Sequence, residues 1–294
     1  MAHRINRAIE LLAADQPIYY TGEHAGHVLT YEQGKQDAET WADYINVGME
    51  HGSFDMTGLD HYLYGLVDGG PTRSGHRTPA VIVEAPVEAT SEEIVRYNAW
   101  QFRQILGRGV HGILLCQAET AGAVRAFVES CRYPVNEIGV GSGLAPGRRG
   151  VGSESVCAEV WGVDRNAYID AADPWPLNLE GELLLGLKIE SKAALLQIEE
   201  ILAVPGIGFA EMGPGDLSMS LGYRRGTPQP WPPIMQETHE RVKAACRENG
   251  VAFLDSSTPE NVADKIDAGA RVIAGRREDT AIIGRAYTGR ELPA

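Results

Sequence analysis

At 294 residues, with a formal net charge of −14 and a pI near 5.0, the chain is long enough for one barrel or two ordinary domains. Its charge has the wrong sign for phosphate backbones and anionic lipid, so neither a nucleic-acid nor a membrane partner is expected. Hydrophobic residues at 44%, charged residues at 22%, 34 glycines and 16 prolines describe a turn-rich globular chain and exclude a disordered one.

The N-terminal stretch MAHRINRAIELLAADQP alternates charged and apolar residues at helical spacing and holds no uninterrupted apolar run. It reads as neither a signal peptide nor a membrane anchor. Short apolar, β-branched runs follow at residues 18–21, 44–49, 80–84, 112–116, 183–189, 208–212, 252–254 and 271–274. All but 112–116 end on, or are followed at once by, Gly or a charged residue, and together they predict eight strands. Between them lie stretches with apolar residues at i, i+3 and i+4, such as SEEIVRYNAWQFRQILGRG, TAGAVRAFVESCR and MQETHERVKAACRENG, which predict helices. Ser191 is the expected N-cap of a helix over 191–206, and Thr258-Pro259-Glu260 a cap followed by proline at the first helical position.

Strand and helix alternate, and the strands are apolar on both faces. A closed (β/α)8 TIM barrel in the α/β class, one domain over residues 1–294, accounts for this better than an open sheet. The Gly- and Pro-rich segment 136–179 is expected to be an elaborated loop near the functional site, or else a solvent-exposed insertion without a chemical part. Cys116, Cys131, Cys157 and Cys246 are scattered among apolar neighbours without CxxC spacing. They read as buried free thiols of a cytoplasmic protein.

Parallel barrels carry their chemistry at the C-terminal ends of the strands. Those ends supply Glu50 and His51, Glu84, Lys188 with Glu190, Asp216 and Asp255, and Arg276-Arg277 follow the last strand. In LKIES, Lys188 and Glu190 stand two apart and face the same way, into the lumen, unless they form only a structural ion pair. In FAEMGPGDLSMSLGY, the glycines permit close backbone approach to an anion and Asp216 adds a hard oxygen, although a simple turn and helix cap would also fit. Two carboxylates suit Mg2+ or Mn2+.

KIES followed by GPGDLS and LGY resembles the signature of the class II pyruvate aldolases of the HpcH/HpaI family. GMEHGSFD, HGILLCQAETAGAVRAFVESCRYP, RRGVGSE, AFLDSS and GARVIAG extend the likeness along the chain. These are hydroxy-oxo-acid aldolases of the phosphoenolpyruvate/pyruvate superfamily, related to citrate lyase β-type enzymes. The resemblance implies a barrel whose C-terminal helix is exchanged between subunits of a homo-oligomer, a trimer or hexamer. It also implies a divalent cation, Mg2+, Mn2+ or Co2+, held by Glu190 and Asp216. The backbone amides around Gly213 to Asp216, in the turn that includes Pro214 and Gly215, would bind the substrate carboxylate, with Gln117 and Glu84 lining the substrate pocket. His51, with Glu50 beside it, would move the aldol proton. The implied activity is carbon–carbon cleavage or formation of a hydroxy-oxo-acid, with a small oxo-acid and an aldehyde as partners.

Two positions depart from the family pattern. Gly48 stands where an aspartate orients the histidine, leaving Glu50 or Asp55 to substitute, and VIVEAPVE places Glu84 and Ala85 where an arginine holds the keto oxygen. Lys188 is the first candidate to restore the lost cation, with His24 and Arg276 as others. The alternatives are the same scaffold with altered chemistry (decarboxylase, hydratase or retro-Claisen lyase), a Schiff-base lyase using Lys188 with a lowered pKa, or a barrel that only binds. Tyr19, Tyr20, Tyr31, Trp161 and Trp175 are expected either to shape a pocket for an aromatic or bulky aldehyde or to serve packing.

Overall fold

The computed structural model describes residues 4–223, 229–274 and 277–290. Among these residues the strands are β1 (Ile18–Glu23), β2 (Tyr44–Gly48), β3 (Ala80–Ala85), β4 (Gly112–Leu115), β5 (Pro174–Trp175), β6 (Leu183–Ile189), β7 (Phe209–Met212), β8 (Ala252–Ser256) and β9 (Ala270–Ala274). All pairings between them are parallel. The order β4-β3-β2-β1-β9-β8-β7-β6 is closed by β4 pairing with β6, which makes an eight-stranded barrel. The eight expected apolar runs are its staves. The two-residue β5, which only extends the edge beside β6, is too short to leave a periodic signal.

The strands are apolar on both faces because both faces are buried. Tyr20, Tyr44, Ile82, Leu114, Leu184, Phe209, Leu254 and Val272 fill the lower lumen, and Val81, Val83, Ile113, Leu185 and Leu187 belong to the larger outer core with the helices. Gly186 makes room for the Phe209 ring, whose Cζ would lie 2.3 Å from a Cβ at that position. The helix Arg7–Ala13 plugs the N-terminal end with Ala8, Ile9, Leu11 and Leu12. Its cap, Asn6, accepts from the amides of Ala8 and Ile9 and donates to the carbonyls of His111 and Glu182, the residues leading into β4 and β6. With the floor sealed, the open end of the lumen is the C-terminal one.

Two helix starts differ from expectation. Ser191 accepts from the Ala194 amide at 3.2 Å in a turn that leads only into the 3-10 segment Ala194–Leu196, whose N-cap is Ala193, and the helix proper is Ile198–Leu202. The Thr258 signal opens a turn instead, and the helix Val262–Asp267 begins after Asn261. At the other end of the chain, the helix Glu278–Tyr287 packs on its own barrel: Arg285 and then Arg290 reach the buried Asp43 at 3.1 and 2.8 Å.

Segment 136–179 is not a loop beside the site. It holds the helices Glu154–Trp161 and Arg165–Ala171 and packs near the N-terminal end of β4, where Trp161 stacks on His111 and donates to the Gly109 carbonyl at 2.8 Å. Its anchor is ionic: Arg132 grips Asp173 through two bonds of 2.6 and 3.0 Å, with both side chains fully enclosed.

Candidate active site

Above the apolar floor of the lumen lies a charged layer set by strand register. Lys188 of β6 pairs with Glu211 of β7, so both side chains leave the sheet on the same side. Glu84 of β3 is completely buried and takes bonds from three partners: His24 Nδ1 at 2.6 Å, Asn46 Nδ2 at 2.8 Å and Lys188 Nζ at 3.2 Å. Burial alone would push the Glu84 carboxyl up, but these partners outweigh it and hold the group below its ordinary range. His24 is raised in turn, chiefly by its bond to Glu84.

Lys188 also donates to Glu50 at 2.8 Å. Burial opposes its charge, yet the surrounding acids, Glu84, Glu211 and Glu190 among them, win and push the lysine upward. A lysine nucleophile must lose its proton to attack a carbonyl, so this direction, opposite to the lowering expected of Lys188, does not favour the Schiff-base reading.

Glu50 connects two groups of ligand-bearing side chains. Its carboxylate lies with His51 and Asp216, all ligand atoms within 4.8 Å of one another, and equally with Cys116 and Glu190. His51 Nε2 is 3.6 Å from Glu50 and 3.8 Å from Asp216. The buried Glu190 accepts the Gln117 amide at 2.8 Å. Its carboxyl is pushed up to about 8 by burial, with Lys188 pulling it down and Glu50 pushing it further up. Carboxylates crowded together with a single lysine, plus an imidazole at the mouth, form an oxygen-rich set that suits a hard divalent cation.

The turn at the end of β7 brings Asp216 to this cluster. A Cβ at Gly213 would lie 2.3 Å from Glu190 Oε2, so only glycine lets the chain pass over that carboxylate. The Gly213 amide is engaged with the Ile189 carbonyl at 3.0 Å, and Pro214 has no N–H. The helix Pro214–Ser220 makes its first internal bond from Leu217 to Gly213, which leaves the Gly215 and Asp216 amides as the ones facing outward.

Glu190 and Asp216 line one cavity of about 400 Å³ together with Tyr20, His24, His51, Lys188, Glu211 and the Gly213–Gly215 turn. Other expected site residues lie elsewhere. Asp55 is the N-cap of the helix Met56–Gly69, bonded to the Gly58 amide at 2.8 Å, so Glu50 is the acid beside His51. Gly48 cannot carry a side chain, because a Cβ there would lie 2.1 Å from the His24 carbonyl oxygen. Asp255 points away from the lumen to His239 and Lys265, at 3.1 and 2.8 Å. Gln117 serves through its backbone, held at a φ of 53°, and Glu84 sits behind Lys188 rather than on the cavity wall.

Arg276 lies outside the described residues, and Arg277 pairs with Asp279. Of the five aromatic residues singled out, only Tyr20 lines the cavity. Tyr19 and Trp161 are core residues, Tyr31 bonds Asp68, and Trp175 packs against the apolar barrel floor. Sequence reasoning missed Glu211 and Cys116. Alternation along β7, from Phe209 to Glu211, was the available signal for the first; nothing marked the second.

The HpcH/HpaI aldolase/citrate lyase family profile matches residues 79–277 of the chain. A hydroxypyruvate/pyruvate aldolase from Roseobacter denitrificans is 29% identical over 213 residues, covering 71% of this chain and 75% of that protein. A 2-keto-3-deoxy-L-rhamnonate aldolase from Klebsiella pneumoniae is 31% identical over 211 residues, covering 70% and 72%. Among solved structures, an HpcH/HpaI aldolase/citrate lyase family protein from Burkholderia cenocepacia superposes with a TM-score of 0.70 at 21% identity, over 97% of each chain. Macrophomate synthase does so at 0.67 and 21%, over 97% of this chain and 87% of its own. At these identities the structural likenesses establish the fold.

Proposed function

The chain belongs to the HpcH/HpaI aldolase/citrate lyase family, and from that premise we propose that it is a carbon–carbon lyase that cleaves or forms a hydroxy-oxo-acid at the C-terminal mouth of its barrel. The observation that carries this reading is the position of Glu50, in reach of both His51 with Asp216 and Cys116 with Glu190. A divalent cation (Mg2+, Mn2+ or Co2+) held by Glu190 and Asp216, with Glu50 alongside, would supply Lewis acidity toward the keto and carboxylate oxygens of a 2-oxo-acid.

The protein's own groups do the rest. The Gly215 and Asp216 amides receive the substrate carboxylate at the first turn of their helix. His51, half exposed at the mouth and next to two carboxylates, takes and returns the proton of the aldol hydroxyl. Lys188, held as an ammonium by Glu50 and Glu84, offers positive charge to the developing enolate oxygen in place of the family arginine. The test is a pyruvate-dependent aldol assay before and after exhaustive chelation: activity should vanish and return with Mg2+ or Mn2+, and full activity in the chelated protein would refute the reading.

Lys188 has its own expected outcome. Lys188→Met should lower kcat by roughly 10- to 100-fold, the loss of one charge-bearing contact to an oxyanion, while Mn2+ affinity, read by titration calorimetry, changes only a few-fold. Lys188→Arg, which keeps the charge, should retain more turnover than Met. Equal kinetics in all three proteins would remove Lys188 from the mechanism.

We further read the chain as one domain, with 136–179 as a packed insertion, and as a homo-oligomer acting on small molecules. Ile282, Ile283 and Tyr287, exposed on the helix Glu278–Tyr287, support the second point. No described helix is long and apolar enough to cross a membrane. All four cysteines are buried and unpaired, which supports a cytoplasmic setting.

A further inference from the structure

Glu211 is left without a task by the mechanism above. It stands on β7 in register with Lys188, above Phe209 of the apolar floor, and faces the cavity. Only 8% of it is exposed, and among the described residues it has neither a hydrogen bond nor an ion pair. Its acidic neighbours are better provided for: Glu84 has three polar partners, Glu50 has Lys188 and Glu190 has the Gln117 amide. The Glu211 oxygens are not among the fully enclosed unpaired ones but open on the cavity, so a group that enters there and strips their water must return a hydrogen bond or leave the carboxyl unsatisfied.

The surroundings restrict what that something is. An alkyl group would leave Glu211 unsatisfied and remove its remaining water. A second carboxylate would meet Glu190, Glu211 and Asp216 on the wall, with the Lys188 charge already shared among Glu50, Glu84 and the oxo-acid head, and His24 bonded to Glu84. A hydroxyl donates to a carboxyl in either of its protonation states, and Tyr20 and Ser256 add hydroxyls to the same wall.

We propose that Glu211 accepts a hydrogen bond from a hydroxyl of the substrate beyond its oxo-acid head, so that the aldehyde component is a neutral hydroxyaldehyde rather than an alkyl aldehyde or an acid semialdehyde. This rests on the aldolase reading and specifies the substrate class of the same cavity.

The experiment compares kcat/KM for glyceraldehyde, propanal and succinic semialdehyde, each with pyruvate and Mn2+, in the parent protein, Glu211→Gln and Glu211→Leu. Thermal melts confirm that each variant is folded. The parent should favour glyceraldehyde over both other aldehydes by about 10-fold or more. Glu211→Leu should shrink the glyceraldehyde-to-propanal ratio by roughly 10- to 100-fold, whatever happens to the overall rate, and Glu211→Gln, which keeps an acceptor oxygen, should fall between. A parent that prefers propanal or succinic semialdehyde, or a ratio untouched by Glu211→Leu, overturns the proposal.

Exchange of the pyruvate methyl protons in D2O, followed by NMR without aldehyde, separates the two readings. Exchange without hydroxyl preference sinks only the role of Glu211. No exchange and no turnover of any aldehyde sinks the aldolase reading, and this proposal with it.

Discussion

Asp216→Asn and Asp216→Ala should each bind Mn2+ at least ~100-fold more weakly than the parent and lose on the order of 10³ in turnover, because each removes an anionic oxygen from a site whose chemistry depends on a divalent cation. The fold should survive. The Asp216 side chain is 38% exposed and contributes to its short helix only through first-turn charge, so the cost to stability should stay near or below about 1 kcal/mol. The measurement is a Mn2+ titration beside a steady-state assay and a melt. Unchanged Mn2+ affinity in the folded Asn variant would falsify the assignment of Asp216. Glu190→Gln should lose metal similarly. It is the less clean variant, since Glu190 is buried and accepts the Gln117 amide.

The second large effect lies far from the cavity. Asp173→Ala should destabilise the protein by about 3–5 kcal/mol, because it strands the Arg132 guanidinium in an interior where both partners are fully enclosed. The Arg132 Nη1 bond to the Ile138 carbonyl at 2.8 Å cannot replace the lost charge. Replacing both residues, as Arg132→Met with Asp173→Leu, should cost less than Asp173→Ala alone, since no unpaired charge then remains. Urea denaturation of the three proteins reads this directly. A shift below about 1 kcal/mol for Asp173→Ala would mean that the pair behaves like a surface ion pair and does not anchor the 136–179 segment.

Much of the barrel is legible because its strands are buried on both faces. That burial concentrates β-branched and apolar residues into short runs, and all eight appear as staves. Period-two spacing also placed Lys188 and Glu190 together at the end of β6. Boundaries fared worse where a turn competes with a helix start, as at Ser191 and Thr258, since the same side chains stabilise both. The 136–179 segment misled because its Gly and Pro content announces turns but not which end of the barrel they cover.

The candidate site divides in the same way. Glu50, His51, Glu190 and Asp216 could be named one by one as polar groups at strand ends, but their mutual arrangement could not. Gly48 appeared as a missing aspartate, whereas its neighbour in space, the His24 carbonyl, leaves no room for any side chain. Lys188 appeared as a candidate for a lowered pKa because its acidic surroundings come from other strands. Glu211 went unremarked because alternation over a four-residue strand is a faint signal, and it is register that puts the acid in the lumen beside Lys188.

The linear chain by itself determined the local features: which stretches are extended, which are helical, and which acids follow strands, since these depend on neighbours a few positions away. Barrel closure decided the rest. Lys188 and Glu50 meet at 2.8 Å although 138 positions separate them, and the acids gathered around Lys188 from other strands hold its proton. Electrostatic interactions and exclusion from water depend on distance through space, which the order of residues does not contain until the staves close into a ring.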